Sequence, residues 1–232
     1  SAATTQGYTV VYRTAGATGG SAPASTTGGG RFTLPENTGS LTKSGFTFAG
    51  WIINGVAYTS GTQITVTKNT NVFARWLRCT MSYVAPTATS GSLPPQVSGC
   101  VNRIVRANVG NLKRTGYYFS GWSINGTVYR PGQTISIEGR YTAIAQWSRF
   151  TITYMGARST GGAAPQQTFG YGDTTLAGTK GTLERQGFTF GGWVLGNTLY
   201  QPGDTFRLVG NVKAFAKWIK NPRGNGNNNN PG

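Results

Sequence analysis

Five sets of residues recur along this chain at a single spacing. Trp51, Trp122 and Trp193 lie 71 residues apart, as do Trp76, Trp147 and Trp218. The same interval separates Tyr12, Tyr83 and Tyr154, then Tyr58, Tyr129 and Tyr200, then Leu41, Leu112 and Leu183. No insertion or deletion breaks the period. The chain therefore divides into a flank (1–7), three units (8–78, 79–149 and 150–220) and a tail (221–232). A fixed period means that each copy is one supersecondary unit, and missing it misassigns the whole fold. At 71 residues, each unit is near the lower limit for a self-supporting core.

Within a unit the punctuation is that of β-structure. TVVY, TMSY and TITY open the units as short β-branched and aromatic strands. A loop rich in Gly, Ala, Ser and Pro follows, and a second strand ends near Leu34, Val105 and Leu176. Leu41–Gly45, with its counterparts Leu112–Gly116 and Leu183–Gly187, is short enough for a turn or a single helical turn. Next come GFTFAGW, GYYFSGW and GFTFGGW, ending at Trp51, Trp122 and Trp193. Strand alternation would put Phe46, Phe48 and Gly50 on one face and Thr47, Ala49 and Trp51 on the other. Asn54-Gly55 and Asn125-Gly126, matched by Gly196-Asn197, are hairpin turns. QITV is expected to pair with VFARW and close the unit at the second Trp. Periodic aromatics in a small β-unit read as core, so Trp51, Trp76, Trp122, Trp147, Trp193 and Trp218 are expected to be core rings. Exposed rings stacking bases or sugars are the alternative.

The order of strand, Gly/Pro-rich loop, strand, L-x-[KR]-x-G-[FY]-x-F-x-G-W, x-N-G-x-x-Y and a closing A-x-W resembles the Listeria–Bacteroides repeat. These are the B repeats of internalin-type bacterial surface proteins. The resemblance implies small β-grasp-like units with little helix, in extracellular stalks, spacers or adhesive modules. It brings no catalytic residue. The chain departs from a neutral spacer in its charge.

Cys79 and Cys100 both lie in the second unit, where the third has Phe150 and Tyr171 and the first has Tyr8 and Gly29. Positions that change as a pair are expected to touch, so a disulfide is predicted, with two buried free thiols as the alternative. Closing a loop of this size stabilises by roughly 3 kcal/mol in the chain-entropy model. Disulfides persist in oxidising compartments, which points to an exported protein. There is no apolar run long enough for a membrane span, and any leader is expected to have been removed or never included.

Composition argues against catalysis. The chain has no His, which removes the usual general base, the Ser–His and Cys–His pairs and most zinc sites. The five carboxylates are Glu36, Glu138, Asp173, Glu184 and Asp204, and no two share a repeat position. Asp173 with Glu184 is the one acid/base pair worth naming. No catalytic, cofactor or metal site is expected. LPENTG at 34–39 has the wrong spacing and place for a cell-wall sorting signal, and Asn125-Gly126-Thr127 is better read as a turn than as a glycosylation sequon.

Charge is the remaining signal. There are 21 Lys and Arg against five Asp and Glu, a net +16. The units carry +5, +6 and +4 and Arg223 adds +1, so the excess is spread along the array. Such a field favours polyanions. Two basic positions recur: Lys43, Arg114 and Arg185 before the aromatic stretch, and Arg78, Arg149 and Lys220 at the junctions. Each set would form a ladder, either contacting a polyanion or merely solubilising loop ends. The tail, NPRGNGNNNNPG, reads as disordered unless a neighbour holds it.

The sequence thus predicts a mainly β array of three β-grasp-like units, non-enzymatic and extracellular or at a bacterial cell surface. Two roles stay open. One is a building block, either a stalk segment or a filament subunit that assembles with itself. The other is a binding module for acidic glycans, teichoic-type polymers or extracellular DNA.

Overall fold

The computed structural model describes residues 6–224, so residues 1–5 of the flank and 225–232 of the low-complexity tail lie outside the described residues. Each repeat is built from seven strands. Repeat 1 has β1 (Tyr8–Arg13), β2 (Thr26–Gly28), β3 (Arg31–Thr33), β4 (Phe46–Ile53), β5 (Val56–Tyr58), β6 (Gln63–Thr65) and β7 (Thr70–Arg78). Repeat 2 has β8 (Thr80–Val84), β9 (Val97–Ser98), β10 (Arg103–Ile104), β11 (Tyr118–Ile124), β12 (Thr127–Tyr129), β13 (Thr134–Ile135) and β14 (Arg140–Ser148). Repeat 3 has β15 (Phe150–Met155), β16 (Thr168–Gly170), β17 (Gly172–Thr175), β18 (Phe188–Leu195), β19 (Thr198–Tyr200), β20 (Thr205–Leu208) and β21 (Val212–Lys220). No described residue is helical. The chain is mainly β, in three repeated sheet units, and Leu41–Gly45 ends in a turn rather than a helical turn.

Every repeat folds the same way. A five-stranded sheet has the order β2-β1-β7-β4-β5, and the second and third repeats keep it as β9-β8-β14-β11-β12 and β16-β15-β21-β18-β19. A two-stranded ladder accompanies each: β3-β6, β10-β13 and β17-β20. The first and last strands of a repeat run parallel, Val10 opposite Thr70 through Arg13 opposite Phe73. A parallel pair needs a long crossover, which here is the rest of the repeat. By internal contact the chain falls into two compact units. One holds repeat 1 with most of repeat 2; the other holds repeat 3 with Thr87–Gly91, Leu112–Ser120 and Trp147–Arg149 of repeat 2.

Three expectations are corrected by this topology. QITV does not pair with VFARW: β6 pairs with β3, Phe32 opposite Ile64. The closing strand β7 is instead central, between β1 and β4. The apolar residues of the β3–β6 ladder, Phe32 and Ile64, then lie in one core with Val10, Trp51 and Val72 of the large sheet.

The second correction concerns the aromatic stretch. Phe48 pairs with Trp76 but Trp51 pairs with Ala74, so β4 carries one residue more than β7 between those pairs. That bulge turns Phe48 and Trp51 to the same face, with ring centroids 5.1 Å apart. Gly50 makes it possible: its φ is 109°, and a Cβ there would stand 2.2 Å from the Tyr58 carbonyl oxygen. Gly121 and Gly192 repeat the device against Tyr129 and Tyr200, at 2.6 and 2.5 Å. Simple alternation fails because a bulge shifts the side-chain phase by one.

The third concerns burial. Trp51, Trp122 and Trp193 are fully buried, with Ala74 and Ala216 directly opposite the first and third. Trp76, Trp147 and Trp218, expected buried, are only half-buried. They lie toward the end of the long central strand, where Phe48, Phe119 and Phe190 meet them edge-on at 5.9, 5.9 and 6.0 Å.

Buried polar groups are largely matched. The Trp51 and Trp122 indoles donate to the carbonyls of Pro35 (2.8 Å) and Arg106 (3.0 Å). The Tyr83 and Tyr154 hydroxyls accept from the backbone N–H of Arg106 (2.9 Å) and Ala177 (2.7 Å). In repeat 3 the Ala177 carbonyl is taken by Gly203 N–H, and the Trp193 indole is left without an acceptor. Asn54 and Gly55, like Asn125 and Gly126, both have positive φ, as a type I′ hairpin requires. At Gly196-Asn197 the positive φ is on Gly196 alone, as in type II′.

Candidate polyanion site

The turn before each aromatic stretch places a charge over a ring. Phe46 N–H donates to the Lys43 carbonyl at 3.0 Å, and Tyr117 to Arg114 and Phe188 to Arg185 do the same at the same distance. Gly45, Gly116 and Gly187 have φ of 78°, 76° and 77°, the positive value a type II turn needs at its third position. Residue i is thereby folded back over residue i+3. Lys43 Nζ lies 4.7 Å from the Phe46 centroid. Arg114 Cζ is 4.0 Å from that of Tyr117, and Arg185 Cζ is 3.8 Å from that of Phe188. Each such cation–π pair contributes about 0.5–1 kcal/mol at a partly exposed site.

The junction cations stand beside the same rings, one of them in direct contact. Arg78 is the cross-strand partner of Phe46, and Lys220 that of Phe188. Arg149 Cζ lies 5.0 Å from the Tyr117 centroid and 5.3 Å from that of Phe169. The two ladders read from the sequence thus meet in one cluster per repeat: Lys43–Phe46–Arg78, Arg114–Tyr117–Arg149 and Arg185–Phe188–Lys220. In each, the turn cation and the ring are half-buried and the junction cation is exposed. Like charges around one ring repel, and a bound anion relieves that repulsion. Such a cluster offers charge-assisted hydrogen bonds and no acid–base chemistry.

The other candidate positions lie elsewhere in the repeats. Asp173 stands opposite Arg207 in the β17–β20 ladder. The Glu184 backbone is tied to Gly161. Cys79 and Cys100 are bonded to each other, with an S–S distance of 1.99 Å. Their counterparts Phe150 and Tyr171 touch, at 6.3 Å between centroids, and Tyr118 stacks on Phe150 at 4.4 Å. The paired substitution marks a real contact.

One cation escaped the periodic reading. Arg140 replaces Asn69 and Asn211 of the other repeats and lines a groove with Phe46, Trp76, Leu77 and Arg78. Comparing the repeats position by position, looking for breaks as well as matches, is the signal that finds it.

Known proteins share this pattern. The family model of the Listeria–Bacteroides repeat domain matches residues 8–75 and 150–217, together more than half of the chain. The middle repeat carries the same period and the same seven strands. A "Putative Gly-rich membrane protein" of Evansella cellulosilytica is 31% identical over 160 residues, covering 60% of this chain and 18% of that protein. A "Putative membrane protein" of the same organism is 30% identical over 122 residues, covering 47% of this chain and 18% of the relative. The chain thus spans under a fifth of the length of the curated relatives it matches. With two repeats matched directly and the third sharing their strand plan, the chain belongs to the Listeria–Bacteroides repeat family.

Proposed function

We propose that this chain is a non-catalytic, surface-associated repeat array, a stalk-like segment that holds acidic polymers through its recurring cation–ring clusters. One observation carries the reading: in each of three repeats a turn cation lies over a half-buried ring, with a second cation over the same ring in repeat 2 and at its cross-strand position in repeats 1 and 3. The remaining charge reinforces it, since five carboxylates cannot neutralise 21 cations. A polymer with regularly spaced negative charge engages several clusters at once, and linked weak contacts multiply affinity. The Cys79–Cys100 bond supports an oxidising, extracellular setting. The relatives' names as membrane proteins support a cell-surface one. Among the described residues no helix is long and apolar enough to cross a membrane.

The test is binding of polygalacturonate to the full chain as salt is raised, with neutral dextran as control. Affinity is expected to fall linearly on a log–log plot, because each neutralised charge releases a counterion. Salt-independent binding, or equal affinity for dextran, defeats the reading.

A further inference from the structure

Arg140 opens β14, where repeats 1 and 3 have asparagines with a structural task. Asn69 Oδ1 accepts the Thr9 N–H at 2.8 Å, and Asn211 Oδ1 accepts the Thr151 N–H at 3.0 Å. Arginine has no acceptor and cannot do this. In repeat 2 the matching donor, Thr80 N–H, is satisfied by the Gly139 carbonyl at 3.0 Å. The guanidinium is released from any role in holding the parallel pair, and it is exposed.

Two grooves meet at this residue. One is lined by Phe46, Trp76, Leu77, Arg78 and Arg140. The other is lined by Arg78 and Arg140 together with Ser82, Gln96 and Thr142 among others. The two arginines form the shared wall, apolar surface lies on one side and hydroxyl and amide groups on the other. Ser82 Oγ donates to Gln96 Oε1 at 3.0 Å, a bond that engages the Gln96 oxygen and not its NH₂ donors. Guanidinium forks match planar oxyanions bidentately.

We propose that this groove is a specific site for a uronate-type acidic sugar chain, its carboxylate held by Arg78 and Arg140 and its hydroxyls by Ser82, Gln96 and Thr142. The assignment rests on the acidic-polymer reading above and gives it one preferred seat in the array. Sugar is favoured over nucleic acid because both rings of the apolar groove are already engaged, and the one ring lining the polar groove, Tyr141, is half-buried. Lys43 covers the Phe46 face. Trp76 is half-buried, packed edge-on against Phe48, with its N–H given to the Thr14 carbonyl. Base stacking is what single-stranded nucleic acid sites depend on. Sugar hydroxyls, by contrast, need the amide and hydroxyl wall that is present.

The experiment titrates the full chain with tetragalacturonate, and separately with a twelve-nucleotide single-stranded DNA and with long polygalacturonate. The variants are Arg140→Asn, Arg140→Lys and, as a charge-matched control outside the groove, Arg130→Asn. Asn is the residue the other two repeats carry, so the first variant suits the fold. For tetragalacturonate, Arg140→Asn is expected to weaken binding about tenfold, the loss of one bidentate contact. Arg140→Lys should weaken it several-fold by losing the fork, and Arg130→Asn less than twofold. Equal losses from Arg140→Asn and Arg130→Asn overturn the site, as does an equal dependence of the DNA on Arg140. If long polygalacturonate still binds with the same salt slope in Arg140→Asn while tetragalacturonate ignores the change, the groove falls and the polymer reading stands. If the unaltered chain does not bind long polygalacturonate, both fall.

Discussion

Replacing Gly50 with alanine tests whether the aromatic stretch is read correctly as a bulge. Its φ is 109°, and an added Cβ would lie 2.2 Å from the Tyr58 carbonyl oxygen and 3.2 Å from Thr59 Cα. Those atoms are backbone and cannot swing aside. Holding a non-glycine residue in such a conformation costs of order 1–3 kcal/mol. Relieving the clash by flattening the bulge would also drag Trp51 out of the core, and losing such a ring costs about 3–5 kcal/mol. Flattening replaces the strain and does not add to it, so the expected cost is that of displacing Trp51, about 3–5 kcal/mol. Gly45 is the internal control: its φ is 78°, but a Cβ there meets nothing within 4 Å. Gly45→Ala therefore carries only the left-handed strain, about 1–2 kcal/mol. Hydrogen exchange resolved by peptide measures the local opening free energy, and 3–5 kcal/mol corresponds to roughly a hundredfold to several-thousandfold faster exchange. Amides of Phe46–Tyr58 should show that acceleration in Gly50→Ala and a far smaller one in Gly45→Ala. Equal acceleration would refute the close-approach argument.

Other outcomes follow from the same geometry. Changing Arg78, Arg149 and Lys220 together to Gln should flatten the log–log salt slope for polygalacturonate by up to about three. The fold should survive, since exposed charges contribute little to stability; circular dichroism checks this. Reducing the Cys79–Cys100 bond should destabilise repeat 2 by about 3 kcal/mol and leave exchange in repeats 1 and 3 unchanged. The Cys79→Phe/Cys100→Tyr double variant should recover part of that loss, because the same pair packs in repeat 3. Burial raises the Tyr83 phenol above its ordinary 10.0, partly offset by the hydrogen bond and charge of Arg106. A raised folded value means that this stability is complete below about pH 10 and lost as pH climbs through the folded value. Tyr83→Phe should remove that alkaline loss from repeat 2 while costing about 1–3 kcal/mol at neutral pH, by stranding the Arg106 N–H. Urea titrations at two pH values read both effects.

The repeat plan was legible because an uninterrupted period carries its own register. The Trp and Tyr sets fall on equivalent positions of equivalent strands, the Leu set falls on equivalent loop positions, and the Asn-Gly turns sit where hairpins demand positive φ. Pairing at a distance was less legible. Nothing local in QITV shows that its partner is β3, because the sheet order follows from where β7 packs. The phase error at Trp51 had a visible sign, since an isolated Gly inside a strand marks a bulge or a close backbone approach. The cationic ladders were found as separate sets. Their convergence on Phe46, Tyr117 and Phe188 required the turn geometry and the β4–β7 and β18–β21 registers. Arg140 was hidden by the feature that made the rest readable, for a search for recurrence passes over the position that breaks it.

The parallel pairing of first and last strands has a mechanical meaning. In each repeat the chain enters at the start of one strand and leaves at the far end of its parallel neighbour. Tension between those two points slides the strands lengthwise and does not peel them apart. All the ladder hydrogen bonds of the pair are then loaded at once: four residue pairs in repeats 1 and 3, and five in repeat 2. Shearing must break them together, whereas unzipping breaks them in turn. Resistance to pulling is set by the height of that unfolding barrier, not by equilibrium stability. The strongest element against stretch is therefore the middle repeat, with its longer parallel register and its cross-linked loop.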